Sequence, residues 1–347
     1  MLGWTRRYTL TAIIVQRRDA AMPEPRSEAA APQSDPRGRC GRLGAALLLA
    51  VTAAAGGPAA MGGPAAAEVP ATPISCSPTQ LATYLPSRVP LADWSENLGF
   101  DASGNLWVAR TFGNAVERYD RDGHIIASVP ASSPGAVRLG PDGLMYVTFG
   151  NSPIAGLAHQ GGVLRFDPEA AIPQPEVFVS GLGQANGAVF DAAGNLFVAD
   201  TTSNTVERIR PDGTVDAGWT ERARNALAAN GSGADGIVVA GNMLYVTLLE
   251  SPTARIVALP IDDPARAGVA LDLAPGALLP DDLAIGPDGL LYITTGSGQF
   301  VRADPVTHTG CTLSSEQPLT SVAVDPSDNH TFLLGTEGGA VLKAHLD

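Results

Sequence analysis

One short phrase recurs six times along this chain: ENLGFDASGNLWVAR from Glu96, GAVRLGPDGLMYVTF from Gly135, NGAVFDAAGNLFVAD from Asn186, DGIVVAGNMLYVTLL from Asp235, DDLAIGPDGLLYITT from Asp281 and TSVAVDPSDNHTFLLG from Thr320. The starts lie 39, 51, 49, 46 and 39 residues apart. A period of this length in a strand-rich sequence means that each copy is one sheet, able to bury its faces only against neighbouring copies. Within each copy an apolar stretch such as LGFD or LAIG meets a glycine turn, as at Asp142-Gly143 or Asp288-Gly289, which is hairpin chemistry. The run that follows, Leu106-Trp107-Val108 or Leu291-Tyr292-Ile293, is apolar on both faces, as a strand packed between sheets must be. A third strand reads AVERYDRDG, GVLRFDPE or TVERIRPDG, and a fourth is less marked. The expected fold is all-β: a six-bladed β-propeller over residues 93–347, forming one domain.

Strand direction then sorts the loops. The phrase-opening residues begin the innermost strands and point into one mouth of the central channel, here called the top. Going down the first strand and up the second returns the second-to-third loops to that face. Two long stretches without a strand pattern, Asn151 to Gly162 and Thr220 to Ala234, are expected to border the entrance as irregular rim loops. The last repeat holds three recognisable strands, while the lead-in of residues 68–92 belongs to no repeat, so the lead-in is expected to complete the last blade.

Residues 1–67 read as a leader with a secretory signal peptide. Arg37, Arg39 and Arg42 precede the apolar run AALLLAVTAAAGG, and small residues follow to Ala67. The run is shorter than the roughly 20 apolar residues of a membrane helix, so export across the cytoplasmic membrane without stable insertion is expected, with an uncleaved anchor as the alternative. Removing the leader subtracts eight of 22 basic and four of 35 acidic residues, leaving 14 against 31, or −17. Nucleic acid is thereby excluded as a partner, since a phosphate backbone would find no basic face. Cys40 leaves with the leader, and Cys76 and Cys311 remain to form one disulfide in an oxidising compartment. A propeller whose blades close on themselves exposes no sheet edge that needs a partner, and a monomer is expected.

Chemistry concentrates at the phrase openings: Glu96, Gly135, Asn186, Asp235, Asp281 and Thr320. At an effective dielectric near 20, two carboxylates about 5 Å apart repel by roughly 3 kcal/mol. Protons or a cation must relieve that. Hard oxygen donors suit Ca²⁺, with Mg²⁺ or Mn²⁺ also admissible, whereas zinc would select His or Cys. Glu96, Asn186, Asp235 and Asp281 are the candidate metal ligands. Arg110 and His159, read as top-loop residues, are candidates for substrate contact. Asp-Gly and Asn-Gly also form turns, which would account for one or two of these residues but poorly for several at one phase of a repeat. A Gly-x-Ser-x-Gly elbow is missing, and the glycines sit in hairpin turns and not between a strand and a helix, where a phosphate-binding motif needs them.

With these residues in view, the chain over roughly residues 90–345 resembles the senescence marker protein, gluconolactonase and luciferin-regenerating-enzyme family of six-bladed propellers. In that family a Glu, two Asn and an Asp at the starts of inner strands hold a divalent metal, and many members hydrolyse lactones or related esters. Glu96 matches the glutamate, Asn186 the later asparagine and Asp235 the aspartate, which the resemblance also makes the candidate general base. Gly135 stands where the blade-two asparagine would be, and Asp281 is an additional carboxylate. The resemblance implies metal-dependent hydrolysis of a small-molecule lactone or ester. Two other readings stay open: a non-catalytic binding propeller, since LFVADTTSNTVERI also resembles repeats of protein-binding scaffolds, and a strictosidine-synthase-like enzyme.

Overall fold

In a computed structural model, which describes residues 76–273 and 277–346, the six phrases become six antiparallel sheets around one axis. The leader expected over residues 1–67 lies outside the described residues. The inner strands are Ser95–Phe100, Val137–Leu139, Ala185–Phe190, Ala234–Ala240, Pro280–Ile285 and Leu319–Asp325. Each packs on the next, and the last returns to the first. Second strands such as Leu106–Arg110, Leu196–Asp200 and Leu291–Thr295 are buried along their whole length, because each lies between the faces of neighbouring blades. The Asp-Gly and related turns at the far ends place Gly104, Gly143, Gly194 and Gly289 at φ of 78°, 82°, 80° and 77°. Glycine enters this left-handed region without the Cβ clash that opposes other residues.

The ring closes as the sequence implies. Leu81–Leu85 pairs antiparallel with Val341–His345, through Leu81 with Ala344 and Thr83 with Leu342, and so supplies the outermost strand of blade six. Just before it, Cys76 is disulfide-bonded to Cys311 on the outer strand Thr309–Ser315 of blade five, with Cα atoms 5.8 Å apart.

Blade three departs from expectation. Among the described residues it has three strands, and the stretch expected as an irregular rim loop from Thr220 is largely the helix Ala217–Ala228. Asp216 caps it by accepting a hydrogen bond from the Trp219 amide at 3.2 Å. Trp219, Ala223 and Leu227, each four residues on from the last, are buried on one face. They pack with Phe197, Val206, Val246 and Leu259, filling the space between blades three and four that a fourth strand would otherwise border. Trp219 stacks edge-on to Phe197 at 5.1 Å and donates its indole N–H to the Ile261 carbonyl at 2.7 Å. The other long stretch, Asn151 to Gly162, holds the short helix Pro153–Leu157.

Trp219→Ala is therefore expected to lower the unfolding free energy by about 3–5 kcal/mol, as deletion of a buried aromatic does. Urea unfolding followed by circular dichroism measures it, and a change below about 1 kcal/mol would return this segment to the status of a surface loop.

Candidate functional site

The phrase-opening residues reach the channel mouth because the inner strands bulge there. Ser95 pairs with Arg110 but Asn97 with Ala109, leaving Glu96 as an extra residue. In the same way Asn186-Gly187, Asp235-Gly236 and Asp281-Asp282 each oppose a single residue of the second strand. A bulge frees its residues from the ladder and re-aims their side chains. The glycines in these pairs are not turn formers. A Cβ on Gly187 would stand 2.3 Å from the Asp235 carbonyl oxygen, and one on Gly236 2.3 Å from that of Asp281. Glycine is required because the backbone of the next blade lies against it.

The result is one pocket of about 260 Å³ at the top of the channel, lined by Glu96, Asn186, Asp235 and Asp281, all four of the expected ligands. Asp235 is 1 % exposed and Glu96 8 %, while Asp281 is half-buried. Gly135 contributes no side chain. The blade-two amide comes instead from Asn151, outside the repeated phrase, whose Nδ2 donates to Glu96 Oε1 at 2.6 Å. Gln184 donates in turn to Asn151 Oδ1 at 3.1 Å, and the Trp94 indole N–H donates to Glu96 Oε2 at 2.5 Å. Asn186 Nδ2 and Thr201 Oγ1 both donate to Asp235 Oδ1. Thr320 is turned into the wall, its hydroxyl donating to the Ser95 carbonyl.

Beneath the pocket, Arg138 spans the channel. Its guanidinium donates to Asn97 Oδ1 at 2.5 Å, the Ala188 carbonyl at 2.9 Å and the Leu98 carbonyl at 3.1 Å, with Asp282 Oδ2 3.7 Å away. Asn97 also donates to Asp282 Oδ2 at 3.0 Å. Blade two, which lacks an opening side chain, thus supplies the cation of the floor.

Burial raises the pKa of Glu96. Asp235 is pushed well above the usual carboxylate range by burial and then by the charge of Glu96. Asp281 is raised strongly by burial and by both Asp235 and Glu96. Asp282 is raised by burial, against the opposing pull of Arg138. The side-chain oxygens lining the pocket are those of carboxylates and amides, with the Thr111 hydroxyl engaged by the Pro134 carbonyl, and hard oxygens of this kind are the chemistry of a divalent cation. Among the described residues, however, the trio of acidic or histidine ligand atoms within 4.8 Å of one another is Asp120, Asp122 and His124 at a surface turn. Glu96, Asp235 and Asp281 surround their pocket more widely than that.

Arg110 and His159 lie elsewhere than expected. Arg110 is the last residue of a strand, 2 % exposed, and donates to the Asp93 and Gly339 carbonyls at 2.8 and 2.7 Å, Ser95 Oγ at 2.6 Å, Tyr119 Oη at 2.8 Å and Glu117 Oε2 at 3.1 Å. Its guanidinium is consumed at the seam between blades six and one. His159 lines a separate groove with Glu207 and Arg224, on the outer side of blades two and three. Trp94, Asn151, Gln184 and Arg138 were missed by the sequence reading. The doublets Glu96-Asn97 and Asp281-Asp282, polar where Asn186 and Asp235 are followed by glycine, were the available sign of the floor beneath the ring.

No protein-family model and no curated protein matches the chain. Solved structures do. A gluconolactonase from Xanthomonas campestris superposes with a TM-score of 0.57 at 14 % identity, over 79 % of this chain and 96 % of that one. A candidate gluconolactonase gives 0.58 at 15 %, over 77 % and 92 %. The fold is that of the gluconolactonase-like six-bladed β-propellers. A PQQ-bound aldose sugar dehydrogenase from Streptomyces coelicolor gives 0.55 at 15 %, over 79 % and 99 %. Likeness at this identity establishes architecture, and chemistry has to be argued from the site.

Because folded-state pKa values above the unfolded value of about 4 mean that the native protein binds more protons, these acids weaken the fold as pH rises. Chelated protein is expected to lose stability progressively from about pH 4 upward, through the raised pKa values, and Asp281→Asn to flatten the decline. Thermal unfolding across pH 4–8 measures this, with a pH-independent melting temperature as the contrary result.

Proposed function

We propose that the chain is an exported divalent-metal-dependent hydrolase of lactones or related small esters, acting at the mouth of its central channel. The observation that carries this reading is the convergence of Glu96, Asn186 and Asp235, with Asn151 alongside, in one open-mouthed pocket. The gluconolactonase-like neighbours support a small-molecule substrate for this architecture. The disulfide suits an oxidising compartment, and among the described residues no helix is long and apolar enough to cross a membrane.

In this reading Glu96 and Asp235 would hold the ion, Ca²⁺ by preference, together with Oδ1 of Asn186 and Asn151, whose Nδ2 groups keep their hydrogen bonds to the two carboxylates. The bound cation supplies polarisation of the ester carbonyl and a lowered pKa for water. Asp235 accepts the proton of the attacking water. Asn186 and Thr201 hold one of its oxygens through donated hydrogen bonds, leaving Oδ2 for the proton. Glu96 is fixed from two sides by Trp94 and Asn151 and keeps its carboxylate directed into the pocket. The Arg138, Asn97 and Asp282 network closes the channel below, so substrate enters and product leaves by the top.

Full-length protein stripped with chelator is expected to gain thermal stability on adding Ca²⁺, and Glu96→Gln to abolish the gain. Asp235→Asn is expected to lower kcat on simple γ- and δ-lactones by about 10²- to 10⁴-fold, the usual worth of a positioned base. If Ca²⁺, Mg²⁺ and Mn²⁺ all leave the transition unmoved and no lactone turns over, the non-catalytic binding propeller becomes the better account.

A further inference from the structure

The walls of the acidic pocket are apolar where they meet solvent. Trp94 and Phe112 stand on the blade-one side, edge to face with ring centroids 5.3 Å apart, and Leu249 and Leu279 line the blade-four and blade-five side. Phe112 is 61 % exposed and Leu279 47 %, a poor arrangement for large side chains that cover nothing. Leu279 is also held in a costly backbone conformation. Its φ of 57° lies in the left-handed region, which L-residues other than Asn and Asp rarely adopt. The loop is pinned there by the Gly296 amide donating to the Leu279 carbonyl at 2.8 Å, and by Ser297 Oγ, which accepts from the Leu278 amide at 2.7 Å. An apolar side chain fixed over a pocket at the expense of backbone strain points to a ligand that covers it.

The polar inventory narrows that ligand further. Among the described residues no Arg, Lys or His lines the pocket, and its charged side chains, Glu96, Asp235, Asp281 and Glu337, are all acidic. Apart from the proposed ion, a substrate carboxylate or phosphate meets only like charge there. The neutral hydrogen-bonding groups on the blade-one to blade-three side are already engaged: Thr111 Oγ1 with the Pro134 carbonyl at 2.7 Å, Asn151 with Glu96, and Gln184 with both Asn151 and Thr202. A polyhydroxylated ring would leave hydroxyls against Trp94 and Phe112 without partners, at the desolvation cost of each unpaired group.

Resting on the ester-hydrolase reading for the reacting group, we infer that the substrate is an uncharged lactone or ester bearing an apolar substituent, which lies between Trp94-Phe112 and Leu249-Leu279, rather than a sugar lactone. The carbonyl faces the carboxylate ring and the substituent faces the rim.

The test uses full-length protein with Ca²⁺ and two readouts, calorimetric binding and hydrolysis, on γ-lactones carrying methyl to hexyl chains and on glucono-δ-lactone. Affinity is expected to rise about fourfold per methylene until the walls are covered, the equivalent of about 0.8 kcal/mol for each buried CH₂. The hexyl lactone should bind at least tenfold more tightly than glucono-δ-lactone. Phe112→Ser and Leu279→Asn, the latter suited to left-handed backbone, should each reduce the slope. An affinity flat with chain length, preference for glucono-δ-lactone, or no binding of any of them overturns the inference. Rising affinity without turnover of any lactone keeps the apolar ligand and removes the hydrolase reading. Turnover without a chain-length dependence does the reverse.

Discussion

The close approach of the six inner strands around the axis governs the rest of the structure. Neighbouring blades meet so tightly at the mouth that the carbonyls of Asp235 and Asp281 occupy the places where Gly187 and Gly236 would carry a Cβ. Threonines from the second strands complete the contact. The Thr148 hydroxyl accepts from the Ala136 amide and donates to the Asn186 carbonyl, both at 2.7 Å, and Thr247 joins the Gly236 amide to the Asp281 carbonyl at the same distances. The bulge carbonyls of Asn186 and Asp281 are thus satisfied by a threonine of the adjoining blade. The side chains freed from the ladder have one direction left, into the mouth. Closing the ring and assembling the acidic pocket are consequences of a single backbone feature.

That feature sets an electrostatic problem which the neighbouring residues answer only in part. Trp94, Asn151, Asn186 and Thr201 donate to the carboxylates, and Arg138 offsets Asp282, yet Asp235 and Asp281 remain strongly raised because burial and mutual repulsion outweigh these donors. Arg138 is too far committed to relieve the upper carboxylates, since its donors already serve Asn97 and backbone carbonyls of blades one to three. The uncompensated charge lies in the upper pocket, open to solvent, where an ion or a proton can reach it.

The blades and the ring of opening residues were legible because they repeat. A periodic signal reports what every copy must do, so it located Glu96, Asn186, Asp235 and Asp281 and implied that the lead-in closes blade six. What it could not report is what one copy does alone. Asn151 reaches Glu96 from a loop with no counterpart in other blades, and nothing in the spacing distinguishes it from a solvated loop amide. Arg110 follows an apolar strand directly, and whether such a residue turns toward solvent or into a seam depends on Asp93 and Gly339, which approach it only in the closed ring. The helix over Ala217–Ala228 did leave a trace, in the spacing of Trp219, Ala223 and Leu227, but it stands where a propeller repeat leads one to look for a strand or a loop. Asn-Gly and Asp-Gly carry turn chemistry in isolation, and only the carbonyl of the next blade shows that here they are close-contact pairs.

Arg110 connects the stability of the seam to the site. Ser95, the residue before Glu96, donates through Oγ to the Gly339 carbonyl at 2.8 Å and accepts at its own carbonyl from Thr320. Arg110 donates to the same Gly339 carbonyl and to Ser95 Oγ. The backbone leading into the first carboxylate is therefore held by blade six, the last to be made, and through Asp93 by Arg110. Glu96 can stand opposite Asp235 only after the N- and C-terminal ends of the propeller have met. The outer strand and the disulfide fasten that junction from the rim of the ring, while Arg110 fastens it from the axis. Placing the first carboxylate at the point of closure makes the candidate site a property of the complete ring and not of any blade within it.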